Sequence, residues 1–208
     1  MSLLNILIAA QAYIIGGVNG AIIASKYLYR RDIRELGSGN PGLTNFYRVF
    51  GARGVLLMLL IDVAKTLGPV LLGGWIFHRA GYPGVSGRIL AGLFVMLGHA
   101  FPLFYKFKGG KTVLAAGILL FSIDWRVCVL GWGMFLLMLI ATRYVSLSSI
   151  VGVWGYPIAL AVFRIGTKAD LVVAILSAAL LVARHYANIG RLISHKESKF
   201  SFHRADKE

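Results

Sequence analysis

The chain has 208 residues and is 58% hydrophobic, with a mean hydropathy of +0.74. Soluble domains run at roughly 45–50% apolar residues, so the composition excludes an ordinary soluble domain. Its 22 Lys and Arg against 8 acids give a net charge of +14; because these cations sit between apolar runs, they point to anionic head groups or phosphorylated substrates rather than to nucleic acid.

Seven apolar segments follow in order, at residues 3–25, 55–77, 89–103, 113–123, 127–142, 147–163 and 169–184. The predicted fold is all-α: a polytopic membrane protein of seven transmembrane helices in one domain over residues 1–208. The first cation, Lys26, follows the first apolar run, so this run reads as a retained helix and not as a signal peptide. A bilayer core needs roughly 20 helical residues. The last five segments fall short, so they borrow flanking residues or end inside protein, where irregular backbone is tolerated. Sixteen of the cations fall in loops 26–53 and 104–111, at Arg143 and in the tail from 184, and five on the opposite side. The positive-inside rule then puts the N-terminus outside and the C-terminus in the cytoplasm. The tail from Lys196 reads as exposed.

Between the first two segments lies GSGNPGLTNFYR, residues 37–48. It contains a G-x-G-x-x-G, and Asp62 lies twenty residues beyond Gly42. A dinucleotide fingerprint needs a preceding strand and a βαβ context, whereas RRDIREL precedes it and Asp62 lies inside an apolar segment. The composition still suits phosphate. Gly37, Gly39 and Gly42 let backbone N–H groups approach an anion. Ser38, Asn40, Thr44 and Asn45 add neutral donors, and Arg48 adds a guanidinium fork.

Asp62 and Lys65, three residues apart in the second segment, read as a buried ion pair that places the helix. After the third segment comes GHAFPLFYKFKGGKTVLAAG, residues 98–117. A Walker A motif needs a glycine where Tyr105 stands, so ATP binding is rejected. Lys106, Lys108 and Lys111 remain, with Gly109 and Gly110 leading into the fourth segment, whose helix N-terminus suits an anion. His99, at a segment end, reads as structural or catalytic. The last segment runs into RHYANIGRLISHKES, residues 184–198. If its helix continues, His185, Asn188 and Arg191 share neighbouring parts of one face at the same membrane boundary.

With eight acids and no His/Cys/carboxylate cluster, neither a metal ion nor a cofactor is expected. The lone Cys128 excludes an internal disulfide. On residues alone, an enzyme acting on phosphorylated substrates and a transporter or channel for an organic phosphate both stand.

Three motifs in order carry a resemblance: GSGNPGLTN with Arg48, GHAFPLFYKFKGGK, and HYANIGRL with Glu197. The chain resembles the acyl-phosphate-dependent glycerol-3-phosphate acyltransferases, the PlsY family of bacterial membranes. It departs from the family pattern at Thr112, where Gly often stands, and at His195-Lys196-Glu197, where Gly-Thr-Glu often stands. The resemblance implies acyl transfer from acyl phosphate to the 1-hydroxyl of glycerol 3-phosphate in phospholipid synthesis, by a multi-pass protein of the bacterial inner membrane. A monomer is expected. The candidate catalytic residues are His185, Asn188, Lys111, Ser38 and Arg48. Gly37, Gly39, Asn40, Gly42, Thr44, Asn45, Lys106, Gly109, Gly110 and Arg191 are the candidate substrate-binding residues. His185 or a substrate phosphate oxygen takes the hydroxyl proton.

Overall fold

The computed structural model describes residues 3–200 and, within them, is all-helical, as expected. Its helices are α1 (Leu3–Gly16), α2 (Gly20–Tyr29), α3 (Leu43–Phe50), α4 (Val55–Arg79), α5 (Gly84–Ala100), α6 (Val113–Ile123), α7 (Trp125–Thr142), α8 (Val145–Val162), α9 (Lys168–Arg184) and α10 (Tyr186–Ile193). Among the described residues, five helical stretches are long and apolar enough to cross a membrane, and the bent pair α9–α10 makes a sixth. Outward faces carry large exposed side chains such as Leu60, Leu137 and Ile140, as suits contact with lipid. The protein is an integral membrane protein.

The third, fifth and sixth apolar segments are longer than the sequence suggested. The third stretch, Gly84–Tyr105, reaches 22 residues. Its first two turns hold Ser86 and Arg88, which lower the local hydropathy but find partners inside the bundle: Ser86 donates to Asp170 (2.7 Å) and Arg88 to the Ser122 carbonyl (2.6 Å). Among the described residues α9, at 17 residues, is long enough only together with α10, and α6 remains short. Its 11 residues span about 16 Å at 1.5 Å per residue. It stops because Asp124 turns extended (φ −163°, ψ 144°) and caps α7 by accepting from the Arg126 N–H.

The expected first span is broken between Gly16 and Gly20. A break in hydrocarbon leaves backbone groups without partners, at several kcal/mol each, and side chains of α4 and the break itself supply them. The Gly20 N–H donates to Asp62 Oδ1 (3.0 Å), Lys65 Nζ donates to the Val18 carbonyl (2.6 Å), and Asn19 caps α2 through the Ile22 N–H (3.0 Å). The Asp62–Lys65 pair, 2.9 Å apart, thus places two helices and not one.

Close helix contacts run through small residues, as in other membrane bundles. Gly98 of α5 lies against the Tyr13 carbonyl of α1, where a β-carbon would not fit. A central core joins Ile8, Val70, Val95, Leu119, Tyr156 and Leu181 from six helices. A smaller cluster of Ile22, Ile33, Phe46 and Met58 seats the amphipathic α3 on α2 and α4, with Tyr29 and Phe50 stacked at 4.0 Å. That cluster fixes the first glycine-rich loop to the end of the bundle.

Candidate active site

The three basic segments, the first two of them glycine-rich, meet. At one end of the bundle they enclose a cavity of about 350 Å3. Its wall takes Ser38, Asn40, Gly42, Thr44, Asn45 and Arg48 from the first segment, Lys111 from the second, and His185, Asn188 and Arg191 from the third. All five candidate catalytic residues are therefore together. Gly37, Gly39, Lys106, Gly109 and Gly110 do not line the cavity, and each has a physical reason.

In the first segment, Gly37 (φ +58°) and Gly39 (φ +71°) supply left-handed turns. Two of the three N–H groups of the expected glycine cradle are spent within the loop: Gly39 donates to the Leu36 carbonyl (3.0 Å) and Gly42 to that of Asn40 (2.9 Å). Asn45 is spent there too. Its Oδ1 accepts from the Ser38 N–H (2.9 Å) and its Nδ2 donates to the Leu36 carbonyl (3.0 Å), so it braces the loop. What faces the cavity is the first turn of α3, with Leu43 and Thr44 in the wall and no side chain capping it. First-turn N–H groups lack intrahelical acceptors and sit at the positive end of the dipole.

In the second segment, Arg184 reaches across from α9 and donates to the carbonyls of Gly109 and Gly110, both at 3.1 Å. Gly109 packs on the His99 carbonyl and Pro102, and Gly110 on the His99 ring, so neither has room for a β-carbon. These glycines set the chain path and do not reach the cavity. Lys106 adopts a left-handed conformation and is exposed, away from the cavity. Lys111 is half-buried in the wall. Burial pushes its pKa down to about 8, helped by the positive charges of Arg191, Arg48 and Arg184 and opposed by Glu197. Thr112 starts α6 with no side-chain cap, and Val113 and Leu114 follow it in the wall, so a second helix N-terminus faces the cavity.

In the third segment the helix does not continue. α9 ends at Arg184 and the chain bends by 58° into α10, so the expected common helical face does not exist. The bend itself delivers the residues: His185, at φ −97° and ψ 7°, is its pivot. The His185 ring is buried, with Nδ1 2.8 Å from the Leu181 carbonyl. A carbonyl only accepts, so Nδ1 carries the hydrogen and Nε2 of the neutral ring is left as an acceptor.

Glu197 ties this segment together. Its carboxylate accepts from Asn188 Nδ2 (2.6 Å), Ser146 Oγ (2.7 Å) and Arg191 Nε (2.7 Å). Burial alone would raise its pKa, but the hydrogen bonds from Asn188, Ser146 and Arg191 hold it below the ordinary carboxylate value. The tail is not simply exposed. Arg48 donates to Ser198 Oγ (3.1 Å) and the Phe200 N–H to the Arg143 carbonyl (2.7 Å), which lays residues 197–200 along the cavity. Residues 201–208 lie outside the described residues. In the cavity wall, the buried atoms Asn188 Oδ1 and Thr112 Oγ1 have no hydrogen-bond partner among the described residues.

Sequence reasoning missed Ser146, Ser149, Trp132 and Phe135, all in the wall. The available signal for the serines was SLSS inside an apolar run. Val113, Trp132, Phe135 and Ser149 also line a second, apolar pocket that continues among α6, α7, α8 and α9 toward Leu120, Val153 and Leu181. The site thus pairs a cationic chamber with an apolar recess.

The glycerol-3-phosphate acyltransferase family model matches residues 6–195. Proteins called glycerol-3-phosphate acyltransferase are similar over nearly the whole chain: that of Mycoplasmopsis synoviae is 35% identical, covering 96% of this chain and 96% of its own, and that of Finegoldia magna 36%, covering 93% and 95%. The crystal structure of PlsY (YgiH), an integral membrane glycerol 3-phosphate acyltransferase, in its glycerol 3-phosphate form, superposes with a TM-score of 0.82 at 32% identity, covering 95% of this chain and 96% of that one. Its lysophosphatidic acid form gives 0.79 at 29% identity, covering 95% of each. With the family model spanning nearly the whole chain and relatives matched along almost their full lengths, this chain belongs to the glycerol-3-phosphate acyltransferase family.

Proposed function

We propose that the protein transfers an acyl group from acyl phosphate to the 1-hydroxyl of glycerol 3-phosphate, releasing 1-acylglycerol 3-phosphate and inorganic phosphate. One observation carries this reading: a chamber walled by Arg48, Lys111, Arg191 and two uncapped helix N-termini opens into an apolar recess. The chamber suits two phosphorylated molecules, and the recess, of about 40 Å3, suits the first part of a hydrocarbon chain. Each buried CH₂ of the chain contributes about 0.8 kcal/mol.

The chemistry follows from the donor. Acyl phosphate is a mixed anhydride with a good leaving group, so no enzyme nucleophile is needed. The glycerol hydroxyl oxygen attacks the acyl carbon, the bond from that carbon to the phosphate oxygen breaks, and the hydroxyl proton moves to His185 Nε2 and on to the departing phosphate. Lys111 and Arg48 hold the negative charge that builds on the phosphate oxygens. Asn188, whose Oδ1 has no partner among the described residues, and Ser38 orient the glycerol. The competing route passes the proton straight to a phosphate oxygen, with His185 positioning the substrate.

In this reading the chain crosses the membrane seven times, α6 incompletely, with the N-terminus outside and the chamber at the cytoplasmic face of a bacterial membrane. The cation asymmetry supports that orientation, and so does the convergence of all three loops on one chamber. Transport is disfavoured because transporter sites lie between structural repeats and the sequence shows none, although the chamber runs from the three loops down to Asp62, Trp132 and Phe135 inside the spans.

The test is donor selectivity. Purified protein in detergent should form lysophosphatidate from glycerol 3-phosphate and acyl phosphate, and little from acyl-coenzyme A. Equal or better turnover with the thioester would overturn the donor assignment. No product with either, from protein that binds glycerol 3-phosphate, would overturn the acyl-transfer reading.

A further inference from the structure

Lys65 Nζ lies 2.9 Å from Asp62 Oδ1, 2.6 Å from the Val18 carbonyl and 2.7 Å from His99 Nδ1. All three side chains are buried, at 2%, 4% and 5% exposure for Asp62, Lys65 and His99. An ammonium group has three N–H donors and no lone pair, and here it meets three acceptors. With every hydrogen of Lys65 engaged, His99 Nδ1 is an acceptor, and the one ring hydrogen sits on Nε2. Asp62 is itself anchored by the Gly20 N–H at 3.0 Å, so the direction of the chain is set from the helix break outward.

His99 and His185 both line the chamber. The Leu181 carbonyl forces His185 into the opposite tautomer, with Nε2 as acceptor. The chamber therefore holds one imidazole that can only take a proton at Nε2 and one that can only offer a hydrogen bond there. Among the described residues His99 Nε2 makes no hydrogen bond. The ring is kept in place by Gly110, which packs on it and whose N–H donates to the His99 carbonyl at 3.0 Å.

We infer that His99, held by the buried Lys65–Asp62 pair, is a neutral hydrogen-bond donor from Nε2 to an anionic substrate oxygen in the chamber, and that Lys65 is a positioning residue acting through it. This rests on the chamber being the site of the phosphorylated substrates. A neutral donor has a use that Arg191 lacks, because no carboxylate competes for it as Glu197 does for that guanidinium. The anionic oxygen is either a bound phosphate or the oxyanion that develops on the acyl carbonyl. The first arm shows as a raised KM, the second as a lowered kcat.

Two measurements test it. In protein with ¹⁵N-labelled histidine, in micelles near neutral pH, His99 is expected with Nε2 protonated and Nδ1 bare, and His185 with the reverse. Titration with inorganic phosphate should shift the His99 Nε2–H signal. In kinetics, His99→Leu should lose at least about tenfold in kcat/KM, the usual scale for a hydrogen bond to a charged group, and His99→Gln, which keeps a side-chain N–H donor, should recover most of it. A Lys65→Met/Asp62→Asn pair, folded by thermal denaturation, should show mixed His99 tautomers. An Nδ1-protonated or doubly protonated His99, a signal indifferent to phosphate, or equal activities of the Leu and Gln variants would each overturn the inference. A wild-type protein inactive with acyl phosphate would instead count against the proposed reaction, and the tautomers would still be read directly.

Discussion

Arg191 Nε lies 2.7 Å from Glu197 Oε2, while the other oxygen of the same carboxylate holds Asn188 at 2.6 Å. One acid thus orients an amide and a guanidinium of the chamber. Glu197→Ala is expected to lower kcat/KM about tenfold or more, since hydrogen bonds to charged groups are worth about 1.5–3 kcal/mol. Because the folded pKa of Glu197 is lowered, its contribution to stability is present above its ordinary value of 4.5 and is lost as pH falls through the folded value. Thermal unfolding on the acidic side should show a steeper loss of Tm with falling pH in wild type than in Glu197→Gln. Parallel curves would contradict the assignment.

Lys111 carries the pH dependence on the alkaline side. Its charge is present below about pH 8 and lost as pH rises through that value. The kcat/KM profile, which reports the free enzyme, should fall above about pH 8, and in Lys111→Arg the limb should move to higher pH. At neutral pH, Lys111→Met should cost roughly 30-fold or more, the scale of removing a charge that faces an anion in a partly desolvated site. Near-normal kcat/KM in Lys111→Met would remove the residue from the site.

Gly37→Ala tests the bracing of the first loop. At φ +58° a β-carbon there is strained, and it would run into Asn45 Oδ1, the acceptor of the Ser38 N–H. Displacing that amide moves Ser38 and the first turn of α3, so KM for a substrate should rise by more than the small drop in Tm suggests. Unchanged KM for both substrates would show that the loop does not contact them.

His185→Asn separates proton acceptance from positioning. A general base typically contributes about 10²–10⁴-fold. Asn keeps a hydrogen bond but cannot take the proton. A loss of that size, with the acidic limb of the kcat/KM profile altered, supports the base role. Retention of more than about a tenth of kcat with an unchanged profile would assign the proton to the substrate phosphate.

The all-helical membrane fold was legible because long apolar runs are a local signal, and the three motifs were legible because glycine, lysine and neutral donors cluster in the sequence. What escaped was long-range. The break between α1 and α2 has a local signal in GGVNG, residues 16–20, but what makes it tolerable in a span is long-range, since Asp62 and Lys65 of another helix supply partners for Gly20 and Val18. The glycines of the first two motifs look like an anion cradle, yet the N–H groups of Gly39, Gly42 and Gly110 and the tight packing of Gly109 and Gly110 serve the loops themselves; the helix starts at Leu43 and Val113 border the cavity. Arg184 looked like a membrane-edge cation, although its partners are two carbonyls some seventy residues away in sequence. The bend at His185 gave no sequence signal, because no proline or glycine marks it.

In the proposed reaction, acyl transfer and phosphate release are one event in this chamber. Phosphorus NMR on purified protein with acyl phosphate, with and without glycerol 3-phosphate, measures that directly. Inorganic phosphate and lysophosphatidate are expected to appear one for one, only when both substrates are present, and both to be suppressed in Lys111→Met. Phosphate released without lysophosphatidate, or at an equal rate in the absence of glycerol 3-phosphate, would contradict it.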